Sequence, residues 1–91
     1  MIERIRGLVE TKTPFLIVKY KVSFIGIASS NYDLVTMYGS KLQYSHMERS
    51  EVTQALHMFD IPLLWDKGDN QEKIWGDMKF RERFKKGGYK I

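Results

Sequence analysis

The stretch Phe15–Ile27, FLIVKYKVSFIGI, leaves this chain few folds to choose from. It is the longest apolar run, and its residues separate into two sets at a period of two. Leu16, Val18, Tyr20, Val22, Phe24 and Ala28, with Gly26, fall on one side. Lys19, Lys21 and Ser23 fall on the other, with Phe15, Ile17, Ile25 and Ile27 towards its two ends. A pleated strand sends alternate side chains to opposite faces, so the pattern is a long strand, buried on one face and wet in the middle of the other. β-Branched and aromatic residues dominate it, as a half-buried pleated surface prefers. A helix would scatter Lys19, Lys21 and Ser23 around its circumference, and Gly26 would weaken it further. Helices elsewhere in the chain are expected to cover the Leu16–Phe24 face, leaving Lys19 and Lys21 on the other.

The remaining elements are placed around this strand. Ile2, Ile5, Leu8 and Val9 recur at helical spacing, which gives a short amphipathic helix ending near Glu10. So short a helix does not hold alone and must dock on the sheet. Thr11 to Pro14 is the link, and Pro14 favours an extended approach to the strand. Ser29-Ser30-Asn31 reads as a turn, Tyr32–Tyr38 as a second strand, and Gly39-Ser40 as a second turn before the strand Lys41–His46. Short connections make antiparallel neighbours, so the three strands form a meander. The first strand is longer than the others, and Gly26 marks a bulge or bend in it.

Ser45-His46-Met47-Glu48 fits a capping box, with Ser50 as a competing helix start. Val52, Ala55, Leu56 and Phe59 then form a stripe that lies against the sheet until Pro62 stops the helix. Ile61–Trp65 is extended, as a fourth strand or a buried connection, and residues 66–70 are a loop. A last helix is capped by Asp69 or Asn70, runs to about Lys86 and ends at Gly87-Gly88. Within it Ile74, Trp75 and Met78 share an arc from which Phe80 and Phe84 depart.

Charge is the feature that bears on function. Residues 79–91 hold six bases and one acid, a net +5, whereas residues 1–78 hold nine bases and ten acids, a net −1. The whole excess of positive charge sits at one end, which suits an acidic partner. No run approaches the roughly 20 apolar residues of a membrane helix, because Lys19 and Lys21 interrupt the best candidate. The start of the chain lacks a secretion signal, and there are no cysteines for disulfides, thiolate metal sites or nucleophiles. A cytoplasmic protein is expected.

The segment KFRERFKKGGYK interleaves Lys79, Arg81, Arg83, Lys85, Lys86 and Lys90 with Phe80, Phe84 and Tyr89. Bases neutralise phosphates and aromatic rings stack on unpaired nucleobases, so the segment has the chemistry of a nucleic-acid contact. The competing reading is a terminal helix whose Phe80 and Phe84 pack on the body while its bases complement the helix dipole. Lys19 and Lys21, with Lys41, are candidates for a basic sheet surface or simply a solvated face. Tyr20 is in register with the core set, whereas Tyr38 and Tyr44, flanking the second turn, are candidates for an exposed interface.

Little points to catalysis. His46 and His57 have no metal-site spacing, and Asp60, Asp66, Asp69 and Glu72 lack the alternate-residue ligands of a calcium loop. No catalytic residue, metal ligand or cofactor is assigned. An acid–base or metal-dependent enzyme built on Asp60, Asp66, Asp69 and a histidine is the remote alternative.

The expected architecture is a single α+β domain spanning 1–91, with a basic C-terminal segment at 79–91. Its order is helix, three-stranded antiparallel meander, helix, short extended segment or strand, and basic helix. The first five elements share their order with double-stranded-RNA-binding domains, which the chain resembles in that order alone. The lysine-rich turn such domains set against phosphates is replaced here by HMERSE. The expected function is non-enzymatic binding of DNA or RNA through the C-terminal segment. The alternative is an inhibitor or adaptor that docks on an acidic or nucleic-acid-binding protein surface. An open sheet edge would also permit a homodimer.

Overall fold

The computed structural model describes residues 2–59, 61, 71–75 and 78–88. They form α1 (Ile2–Thr11), β1 (Phe15–Phe24), β2 (Ile27–Tyr38), β3 (Lys41–Met47), α2 (Arg49–Met58), β4 (Gln71–Trp75) and α3 (Met78–Lys86). The strands make one antiparallel sheet in the order β3-β2-β1-β4. The α+β class and the three-stranded meander are as the sequence implies. The fourth strand is Gln71–Trp75; in the Ile61–Trp65 segment only Ile61 is described, and it is buried.

Both faces of the sheet are covered. On one, Phe15, Ile17, Leu34 and Ile74 meet Ile5 and Leu8 of α1 and Val52 and Ala55 of α2. On the other, Leu16, Val18, Val35 and Met37 surround Phe84 of α3. This corrects the expectation that all the helices share the Leu16 face. Over Phe15–Val18 both sets of alternate residues are apolar, so alternation does not distinguish the faces there, and burying both is favourable. The paired helices take the odd-numbered face. The lysines of that face begin where the described helical cover thins, Lys19 half-buried and Lys21 exposed.

The first hairpin turns at Ile25-Gly26, directly after Phe24 and before the expected Ser29–Asn31 turn, so Gly26 lies in the turn rather than in a bulge of β1, and Ser29–Asn31 are strand residues paired with Tyr20–Val22. Ile25 and Gly26 have φ of +46° and +75°, the double positive φ of a type I′ turn. That turn matches the twist of its strands, which is why it prevails over the Ser-Ser-Asn turn signal. Gly26 adopts the left-handed region freely, but a β-branched residue there costs roughly 1–2 kcal/mol. Gly39, at φ +61°, opens the two-residue turn between β2 and β3.

Helix ends are set locally. The Thr13 N–H donates to the Leu8 carbonyl at 3.0 Å and the Lys12 N–H to the Val9 carbonyl at 3.3 Å. With Lys12 at φ +56°, this is a Schellman ending. The expected capping box does not form. Ser45–Met47 complete β3, and α2 begins after Glu48, whose side chain caps nothing. The ladder of β2 with β3 continues to Tyr32↔Met47, so pairing prevails over the local cap.

Arg4 ties the helical layer together. Its Nε and Nη2 donate to the two carboxylate oxygens of Glu51 at 2.8 and 2.7 Å. Nη2 also donates to the His46 carbonyl at 2.6 Å, and Nη1 to Ser45 Oγ at 3.1 Å. One side chain thus joins α1, β3 and α2. Glu51 is only 6% exposed, and the Arg4 guanidinium holds its carboxyl below the ordinary value of 4.5 against the opposing effect of burial.

Candidate nucleic-acid interface

The long helix expected from residue 70 to 86 is instead β4 followed by α3. Ile74 belongs to the strand and is buried on the α1–α2 face, whereas Phe84 packs on the opposite face. The strand period ends at Trp75 and a helical one begins at Met78, and this explains why no single helical arc holds both sets of apolar residues. α3 has nine residues, too few to persist alone, so its helicity depends on docking. Phe84 supplies the anchor at 0% exposure. Phe80, one turn earlier, is half-buried, with its ring centroid 5.7 Å from that of Phe15. Its ring is therefore engaged by the core, and the stacking role expected of it is not carried further.

The same anchoring fixes where the bases point. At 100° per residue Phe80 and Phe84 define the inward direction, and Arg81 and Arg83 border it on either side. Lys79, Lys85 and Lys86 project farther round. Lys79, Arg83, Lys85 and Lys86 are exposed, and Arg81 is half-buried. Arg83, Lys85 and Lys86 lie in the last turn, where positive charge also complements the helix dipole. The helix closes with Gly88 at φ +78°, its N–H donating to the Lys85 carbonyl at 3.1 Å. Tyr89 and Lys90 lie outside the described residues.

The other expected site residues do not join this surface. Lys19 and Lys21 alternate with Leu16, Val18 and Tyr20, so they belong to the face opposite α3. Lys41 shares their face but pairs with Tyr38 at the far end of the sheet. Tyr38 and Tyr44 are 52% and 58% exposed, yet they stand on opposite faces. Tyr38 lines a shallow depression between α1 and β3 with Leu8 and Gln43. Tyr44 sits directly opposite Val35, beside the footprint of Phe84. Tyr20 is half-buried on that face, where burial first, and then the hydrogen-bonded Asp33 carboxylate, push its phenol above the ordinary value of 10.0.

Two features escape the sequence reading. Lys73 of β4 is buried, at the level of Val18 on the α3 side of the sheet. Ile25 is 85% exposed at the tip of the first hairpin. Gly26 is a turn residue, but the β-branched Ile25 before it is not a hairpin signal, and the Ser-Ser-Asn cluster carries the stronger turn composition. Among the described residues no group of three or more His, Asp or Glu side chains is placed to hold a metal ion. Asp60, Asp66 and Asp69 lie outside them. No described helix is long and apolar enough to cross a membrane. Comparisons with protein-family models, with curated proteins and with solved structures find no match to this chain.

Proposed function

We propose that this protein is a non-enzymatic nucleic-acid-binding protein that contacts phosphates through α3. The observation that carries the reading is the division of labour within that helix. Phe84 is wholly buried, while Lys79, Arg83, Lys85 and Lys86 are held exposed on a fixed scaffold. Phosphate contact needs such side chains at defined positions but no cofactor, and it gives affinity without demanding base recognition. The isolation of the chain's excess positive charge in residues 79–91 supports the same reading. The separation of Tyr38 and Tyr44 onto opposite faces weighs against an aromatic docking patch for a protein partner.

The test is fluorescence-anisotropy titration of single- and double-stranded DNA and RNA at low and physiological salt. The full chain is compared with a Lys79/Arg83/Lys85/Lys86→Glu variant whose fold is checked by circular dichroism. Binding that weakens with salt and is lost in the folded variant is the expected result. No binding by the full chain at low salt would overturn the reading and turn attention to an acidic protein surface.

A further inference from the structure

The first hairpin extends beyond the rest of the described sheet. β4 pairs with β1 only from Leu16 to Tyr20, and β3 pairs with β2 only from Tyr32 to Tyr38. The last four rungs, Lys21↔Ser30 to Phe24↔Ile27, therefore form a two-stranded ribbon with no other described strand beside it. At about 3.3 Å per residue it projects roughly 13 Å before its turn. Its tip is Ile25, 85% exposed and at φ +46°. A β-branched side chain gains nothing from burial there and carries backbone strain that glycine or asparagine would avoid. Strain of this kind, at a residue whose side chain is not packed, points to a role in contact.

The composition of the ribbon narrows what it contacts. From Phe15 to Tyr32 the chain contains no Asp or Glu, and it includes Lys19 and Lys21. Ser29, Ser30 and Asn31 are exposed on the returning strand. The arm thus joins one base, Lys21, and the exposed Ser29 and Ser30 near its root to an exposed apolar tip. Two-stranded ribbons of this kind enter a groove of duplex DNA, and an apolar tip, isoleucine included, wedges between base pairs and kinks the helix.

We infer that the Lys21–Ser30 hairpin is a DNA-bending arm, with Ile25 as a wedge that enters a base step of double-stranded DNA. This inference rests on the nucleic-acid reading of α3 and adds to it a preferred substrate. Because unstacking opposes the wedge, a duplex already unstacked by a mismatch is bound more tightly than an intact one. The two elements divide the work: α3 supplies salt-dependent attraction, and the arm supplies the bend.

The experiment measures binding and end-to-end energy transfer on doubly labelled duplex DNA, intact or with one central mismatch. The full chain, Ile25→Gly, Ile25→Asn and a Lys79/Arg83/Lys85/Lys86→Ala variant are compared. Both Ile25 variants suit the left-handed turn, so they keep the fold, and a thermal melt verifies it. The full chain is expected to bend DNA and to prefer the mismatch by about tenfold, the ratio that corresponds to relief of part of the unstacking cost. Both Ile25 variants should still bind intact duplex but lose the bend and the preference. Bending by Ile25→Gly equal to that of the full chain would overturn the arm. So would a full chain that binds both duplexes equally and leaves them straight, although α3 would stand if its variant lost binding. Unchanged binding and bending by the α3 variant would overturn the α3 reading and leave the arm. No binding of either duplex by the full chain overturns both.

Discussion

Ile25 and Arg4 show how differently single residues serve this chain. Ile25 is exposed and in the left-handed region, so Ile25→Gly relieves strain while raising the entropy of the unfolded chain. The two effects nearly offset, and we expect stability unchanged or higher by up to about 1 kcal/mol, a rise of at most about 8 °C in Tm. A loss of that size instead would mean that the side chain packs. Arg4 is the reverse case, because its guanidinium satisfies a buried carboxylate and bridges three elements. Arg4→Met leaves Glu51 without that partner. It should cost about 2–3 kcal/mol by urea denaturation at pH 7, less than a fully buried pair because Arg4 is partly exposed. The pair also sets a pH dependence. Glu51 has a lowered folded-state pKa, so the unfolded chain takes up the proton first as pH falls. The stabilisation is therefore complete above the ordinary carboxyl value of 4.5 and is lost as pH falls through the lowered one. Arg4→Met should flatten the stability profile in that acid range, and a parallel displacement of the whole profile would contradict this.

At the scale of elements, α3 depends on docking, and Phe84, its wholly buried side chain, is its chief anchor. Removing the Phe84 ring leaves a nine-residue helix without its anchor. Phe84→Ala is expected to destabilise the protein by about 3–5 kcal/mol. Nucleic-acid affinity should fall with it even though every base is retained, because the bases are no longer held on one surface. Retained affinity in a variant with α3 unfolded would mean that the tail binds as a flexible charged chain. The anchor was legible in outline, since Phe80 and Phe84 are one turn apart. What obscured it was the change of period between β4 and α3, which merged a strand and a helix into one imperfect wheel. The meander and the α2 stripe were legible because each has one apolar face and one wet one. The burial of β1 on both sides was not, because Phe15–Val18 is apolar on both faces and alternation carries no information there. The first turn was misplaced for a related reason. Ser29–Asn31 are exposed strand residues, and exposed polar residues in a strand look like a turn when only composition is read.

For the molecule as a whole, the fold sorts charge and apolar surface into separate places. The sheet is buried between α1 and α2 on one face and α3 on the other, and the basic residues of α3 lie outside that core. Lys19 and Lys21 lead away from it towards the Ile25 tip. The basic candidates seen in the sequence thus divide among α3, the Lys19–Lys21 part of β1 and Lys41 at the far end of the sheet. The decisive observation is the dependence of nucleic-acid affinity on salt, measured for the full chain and for Lys79/Arg83/Lys85/Lys86→Ala. Four phosphate contacts on duplex DNA should give a slope of log K against log salt of roughly −3 to −4. The variant should bind weakly with a much shallower slope. A full chain that fails to bind at low salt, or a variant that keeps the steep slope, would contradict phosphate contact through α3.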